Sequence, residues 1–154
     1  MKNLNKLGLI ALFFFGISAG TFAQEKIEWL KFEEAVAKNQ ENPKMILVDV
    51  YTDWCGWCKK MDKDTFTDST VVAYVTEDFY PVKLNAEDMN RKFEFMGKEY
   101  SEAQMAAAMR VRSYPNFVLI DPTLQNITQI PGYRGPEDFM EALQYMAKNG
   151  FRGK

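Results

Sequence analysis

The sequence predicts an α/β fold, a mixed central β-sheet flanked by helices on both faces. Three observations carry this. "KMILVDVYT", residues 44–52, is a nearly continuous apolar run rich in β-formers, the pattern of a strand buried on both faces. Strand-like and helix-like segments then alternate, which calls for parallel crossovers. Late in the chain, "NFVLID" (116–121) and "NITQI" (126–130) flank a turn that opens with Asp121-Pro122, and they read as an antiparallel hairpin.

The elements follow in order. Residues 28–38 start with a short strand-like piece and continue as a helix with Phe32, Ala35 and Val36 on one side. "NQENP" (39–43) is a turn cluster before the buried strand. Residues 56 to about 64 read as helix. Asp68 or Ser69 caps a further short helix through Val71, Val72, Tyr74 and Val75. "FYPVKLN" (79–85) is a strand. "SEAQMAAAMR" (101–110) opens with the capping-box pair Ser101 and Gln104 and is rich in helix formers. Pro136 sits at the first turn of a closing helix that runs to about Lys148.

Bulk properties exclude several function classes. A length of 154 residues suits one domain with a core, and 47% hydrophobic with 26% charged residues rules against disorder. The net charge of −2 and the lack of a basic run give no footprint for nucleic acid. No histidine is present, which removes Ser-His-Asp and Cys-His nucleophilic mechanisms and His-ligated metal sites. The N-terminus has the pattern of a signal peptide over residues 1–23. Lys2 and Lys6 precede an apolar stretch, Leu7–Ala19, and Thr21-Phe22-Ala23 resembles a cleavage site. The stretch holds about 13 residues, short of the roughly 20 that span a bilayer. The expected organisation is a signal peptide and one domain over residues 24–154, exported to the periplasm, where disulfides persist.

Cys55 and Cys58, in "DWCGWCKK", are the only cysteines. Two residues between them suit a redox couple, half of a metal site or a small staple. A staple across so short a ring removes little chain entropy. Zinc needs about four ligands, and two thiols with no imidazole fall short. Two thiolates can hold Cu(I), so that option stays open. For a redox couple the placement is favourable. Cys55 ends a strand and starts a helix, where orphan N–H groups and the helix dipole favour a thiolate. Cys58 lies one turn on, within disulfide reach, and suits the resolving role.

Here the residues resemble the thioredoxin family. "ILVDVYTDWCGWCK" (46–59) is similar to the thioredoxin strand and its Trp-Cys-Gly-Pro-Cys-Lys motif. Asp49, six residues before Cys55, matches the family's buried aspartate. Lys83 matches the lysine beside it, Tyr114-Pro115 the cis-proline step facing the disulfide, and Gly132 the glycine beside the site. The resemblance covers roughly residues 28–148. The longer "TDWCGWCKKMDKDTFTDSTVVAYV" is similar to exported thioredoxin-like proteins, which include the C-terminal domain of the membrane disulfide reductase.

The resemblance implies a thioredoxin fold and a thiol–disulfide oxidoreductase with no cofactor and no metal. In that reading Cys55 attacks a protein disulfide and Cys58 resolves the mixed disulfide. Asp49, its pKa raised by burial and partly restored by Lys83, takes the Cys58 proton through water. Pro115 presents a backbone edge to an extended substrate, beside Tyr114 and Gly132. Trp54 is expected to pack over and shield the disulfide. The expected partners are disulfide-containing proteins and a membrane electron donor, and the expected state is a monomer. Asp49 and Lys83 favour net reduction; the rivals are an oxidase or isomerase, or a Cu(I)- or partner-binding module without turnover.

Three departures stand out. Trp57 replaces the family's proline and is expected on the surface as a partner contact. Tyr114 replaces a smaller residue before the proline. Residues 86–111 are longer than the family's segment by about a dozen residues. Met89, Met96, Met105 and Met109 there are read as core filler, with an adaptable contact surface as the alternative.

Overall fold

A computed structural model describes residues 26–151, so the expected signal peptide lies outside the described residues. Helix α1 (Phe32–Glu41) leads into β1 (Met45–Tyr51), α2 (Gly56–Asp64), α3 (Ser69–Asp78) and β2 (Phe79–Asn85). Then come β3 (Lys92–Phe95), β4 (Lys98–Ser101), α4 (Glu102–Ala108), β5 (Asn116–Ile120), β6 (Ile127–Pro131) and α5 (Pro136–Asn149). The central sheet has the order β2-β1-β5-β6. β1 runs parallel to β2 and antiparallel to β5, and β6 closes a hairpin on β5. This is the mixed sheet the sequence predicts.

The pleat of β1 sorts its residues between two layers, because successive side chains point to opposite faces. Ile46, Val48 and Val50 join Val82, Leu84, Val118 and Ile120 beneath α1 and α4. Leu47 faces the other way, into a core of Met61, Val71, Val75, Phe117, Phe139 and Leu143 from α2, α3, β5 and α5. Asp49, two residues on, must share that second face. This alternation is what places a carboxylate under α2.

The predicted caps form. The Asp68 carboxylate accepts from Thr70 N–H at 2.9 Å and Val71 N–H at 3.1 Å to start α3. Ser101 and Gln104 exchange bonds at the start of α4. The strand-like piece before α1 is reduced to a single parallel bridge, Leu30 with Val82, because α1 begins two residues later.

The long segment 86–111 holds a hairpin that the sequence reading does not anticipate. β3 and β4 turn through Met96 (φ 51°) and Gly97 (φ 73°), the paired left-handed conformations of a two-residue hairpin turn. Met at the first position hides the turn, since Asn or Asp is its usual signal. The four methionines divide: Met105 and Met109 are core, whereas Met89 and Met96 are exposed. The segment is fastened by one buried acid. Glu102 accepts from Asn85 N–H at 2.6 Å and from Arg91 Nη1 at 2.7 Å, while Arg91 Nη2 reaches Glu33 on α1. Such partners offset the cost of burying a carboxylate.

Phe139 anchors α5, with its ring 4.9 Å from Phe117 and 5.5 Å from Phe66. Phe139→Ala is expected to destabilise the protein by about 3–5 kcal/mol, through lost transfer energy and a cavity, as read from the urea midpoint at unchanged m-value.

Candidate functional site

β1 ends and α2 begins within four residues, and the cysteines occupy that corner. Cys55 is the N-cap of α2 and Cys58 lies in its first turn. They are disulfide-bonded, with Cα atoms 5.3 Å apart. Cys58 N–H donates to Cys55 Sγ at 3.1 Å, so one orphan donor of the helix points at that sulfur. The same donor would stabilise a Cys55 thiolate. Both cysteines are buried.

The acid lies on the face of β1 that α2 covers. Asp49 is 2% exposed and is the direct cross-strand partner of Lys83 in the β1–β2 register. Its Oδ2 stands 3.4 Å from Lys83 Nζ, and Oδ1 has no hydrogen-bond partner. Burial pushes the Asp49 pKa up, the Lys83 charge pulls it back, and Asp62 adds repulsion, leaving it at about 7. Lys83 is half-buried. Burial lowers its pKa, but Asp49 and Asp62 outweigh that and hold it above lysine's ordinary value.

The sequence reading misses Asp62. It lies four residues after Cys58 and seven after Cys55, so one helical stripe carries all three down towards Lys83. Its carboxylate accepts a hydrogen bond from Lys83 Nζ, and the lysine is therefore shared between a buried acid and a half-exposed one. The spacing was visible, but nothing in the sequence says which face of α2 meets the sheet.

The opposing wall comes from two loops. The Tyr114-Pro115 peptide is cis, as the resemblance implies. Gly132 has φ 85°, which suits glycine, and its N–H donates to Pro115 O at 2.9 Å, joining the two loops. Each loop carries a tyrosine that meets a tryptophan flanking a cysteine. Trp54 and Tyr114 are edge-to-face at 6.0 Å, and Trp57 and Tyr133 lie at 5.0 Å with a 41° tilt. Trp57 is 58% exposed, on the surface as expected. Trp54 is 67% exposed as well. Its indole N–H donates to Glu87 Oε1 at 2.8 Å, so the polar edge of the ring is held by the segment that follows β2.

Comparison with known proteins bears on the fold and the family. Residues 32–147 match the sequence profile of a family described as a thioredoxin-like domain. A thiol:disulfide interchange protein DsbD of Photorhabdus laumondii subsp. laumondii is 25% identical over 122 residues, which is 78% of this chain and 19% of that protein. The chain thus spans about a fifth of that relative's length. Among solved structures, the DsbH oxidoreductase superposes with a TM-score of 0.65 at 17% identity, covering 97% of this chain and 95% of that one. The oxidised C-terminal domain of Neisseria meningitidis DsbD gives 0.56 at 18% identity, covering 76% and 97%.

The raised Asp49 pKa sets a pH dependence of stability. A folded-state pKa above the unfolded value means that the folded protein holds the extra proton, so this contribution is full below about pH 3.8 and is lost as pH rises through about 7. Asp49→Asn is expected to remove that loss and make the oxidised protein more stable at pH 8 by roughly 2–4 kcal/mol, with little change near pH 4. Urea unfolding of both proteins at the two pH values measures it.

Proposed function

The chain belongs to the thioredoxin-like family, and from that premise we propose that it is a thiol–disulfide oxidoreductase that reduces protein disulfides in the periplasm. One observation carries the reading: a Cys55–Cys58 disulfide at the N-terminus of a helix whose Asp62 shares Lys83 with the buried Asp49, the one cation paired with that acid among the described residues. A structural staple would need no buried titratable acid.

The steps balance as two electrons and two protons. With both cysteines reduced, the Cys55 thiolate attacks one sulfur of a substrate disulfide, and the other sulfur leaves as a thiolate that takes a proton from solvent. Asp49 as carboxylate receives the Cys58 proton. Cys58 then attacks Cys55 Sγ, closing the protein disulfide and expelling the second substrate thiolate, which takes the remaining proton. An acid with a pKa near 7 suits both halves of that exchange at neutral pH. The protein disulfide must next be reduced by a dithiol donor. The similarity to DsbD, together with the Lys2, Lys6 and Leu7–Ala19 pattern, supports export and a membrane-bound donor. Among the described residues no helix is long and apolar enough to cross a membrane. Tyr114, Pro115 and Gly132 offer the backbone edge against which an extended substrate would lie, with Trp54 and Trp57 at its two ends.

Cys55→Ser is expected to abolish reduction of insulin disulfides; retained activity would refute the assignment. Cys58→Ser should instead accumulate a mixed disulfide through Cys55, visible as a reducible adduct by mass spectrometry. Direction is read from the reduction potential. A value towards about −270 mV supports a reductase, and one near about −120 mV would make the protein an oxidant.

A further inference from the structure

The segment before α1 contributes to the proton site. Leu30 N–H donates to Pro81 O at 2.8 Å, and Leu30 bridges Val82 in parallel, so the segment lies along the free edge of β2. Leu30 and Val82 face the α1–α4 layer. The pleat therefore turns Trp29 and Lys83 to the opposite face, where Asp49 and Tyr51 also point. Trp29 is fixed from behind by Phe66, edge-to-face at 5.1 Å. The Lys83 ammonium lies 5.4 Å from the Trp29 ring centroid and 5.0 Å from that of Tyr51. Both fall within cation–π range, about 6 Å. Two clefts, of about 440 and 230 Å³, are lined by both Trp29 and Lys83.

We propose that Trp29 is a positioning residue of the redox site: with Tyr51 it holds the Lys83 ammonium between two ring faces and so keeps it against Asp49. Lys83 is a flexible chain with a strongly hydrated head, and Asp62 is closer to solvent than Asp49 and competes for it. The rings oppose that competition in two ways. They attract the cation electrostatically, and they occupy space from which water would hydrate it. Other charges surround the pair. Lys26 and Asp62 line the larger cleft, and Lys31, Asp88, Arg91 and Glu102 line the smaller. Glu102 and Arg91 are paired with one another, and Lys83 alone of the cations forms an ion pair with Asp49 among the described residues. The bearing of Trp29 on turnover rests on the proposed redox reading; its effect on Asp49 does not.

The test is the Asp49 titration, followed by carboxyl ¹³C NMR in the oxidised protein. Trp29→Leu keeps an apolar side chain but removes the ring face. Its expected effect is a rise in the Asp49 midpoint of about half a unit, the size of a lost cation–π contact. Trp29→Phe should return the midpoint towards that of the unmodified protein, and its near-ultraviolet circular dichroism checks the fold. In a Lys83→Met background, Trp29→Leu should produce no further rise. A midpoint that stays or falls, or that rises equally without Lys83, overturns the proposal. If the midpoint rises as stated but the alkaline limb of the turnover pH profile does not follow, the placement of Trp29 stands and the proton role of Asp49 falls.

Discussion

The site depends on an acid placed where an acid is disfavoured. Asp49 occupies a central strand, its cross-strand neighbour Lys83 is the only cation that pairs with it among the described residues, and one of its oxygens is unpartnered. Burial in such surroundings penalises the charged form and moves the carboxyl into the range where it can exchange a proton near neutrality. Much of the nearby architecture can be read as tolerance of that one group. β2 brings Lys83 into register, α2 lays Asp62 against the lysine, and Trp29 and Tyr51 crowd the ammonium. A folded core supplies the stability that the acid removes. The two faces of the sheet are filled by separate apolar layers, with phenylalanines at the centre of the layer Asp49 shares.

The long segment after β2 is joined to this site at two points. Glu87 holds the Trp54 indole, and Glu102 holds Asn85 at the end of the strand that carries Lys83. Its hairpin places Phe93 and, beyond it, Met105 and Met109 in the layer under α1, so the segment contributes to the core. A segment anchored in the core can fix a ring at the rim more firmly than a solvent-exposed loop could.

Most of the fold was legible because its signals are local. The apolar run 44–52, the caps at Asp68 and Ser101 and the Pro136 start each specify an element within a few residues, and each element forms where expected. The cysteine spacing and the placement of Asp49 six residues earlier were equally plain. What the sequence could not reveal depends on contacts between distant segments. Asp62 acquires meaning only when α2 settles on the sheet with that stripe inward. Trp29 does so only when Leu30 pairs with Val82 across more than fifty residues of chain. The β3–β4 turn failed for a different reason: Met96 adopts a left-handed conformation that its side chain gives no reason to expect. The Trp54 indole bond to Glu87 likewise joins residues more than thirty positions apart.

Trp57 can be placed more sharply in this light. Between two cysteines at the first turn of a helix, a large ring has no route into the core, since the inward positions of α2 are taken by Cys58 and Met61. It leans instead on Tyr133, next to the glycine whose N–H meets Pro115. Tyr114, on the other side of that proline, meets Trp54. The disulfide therefore lies between two aromatic pairs, each joining the cysteine turn to one of the loops opposite. Proline at position 57 would rigidify the turn but leave Tyr133 without its ring. The tryptophan links the reactive turn to the Gly132 loop, so the geometry of the site is set by side-chain packing across the cleft as well as by the backbone of α2.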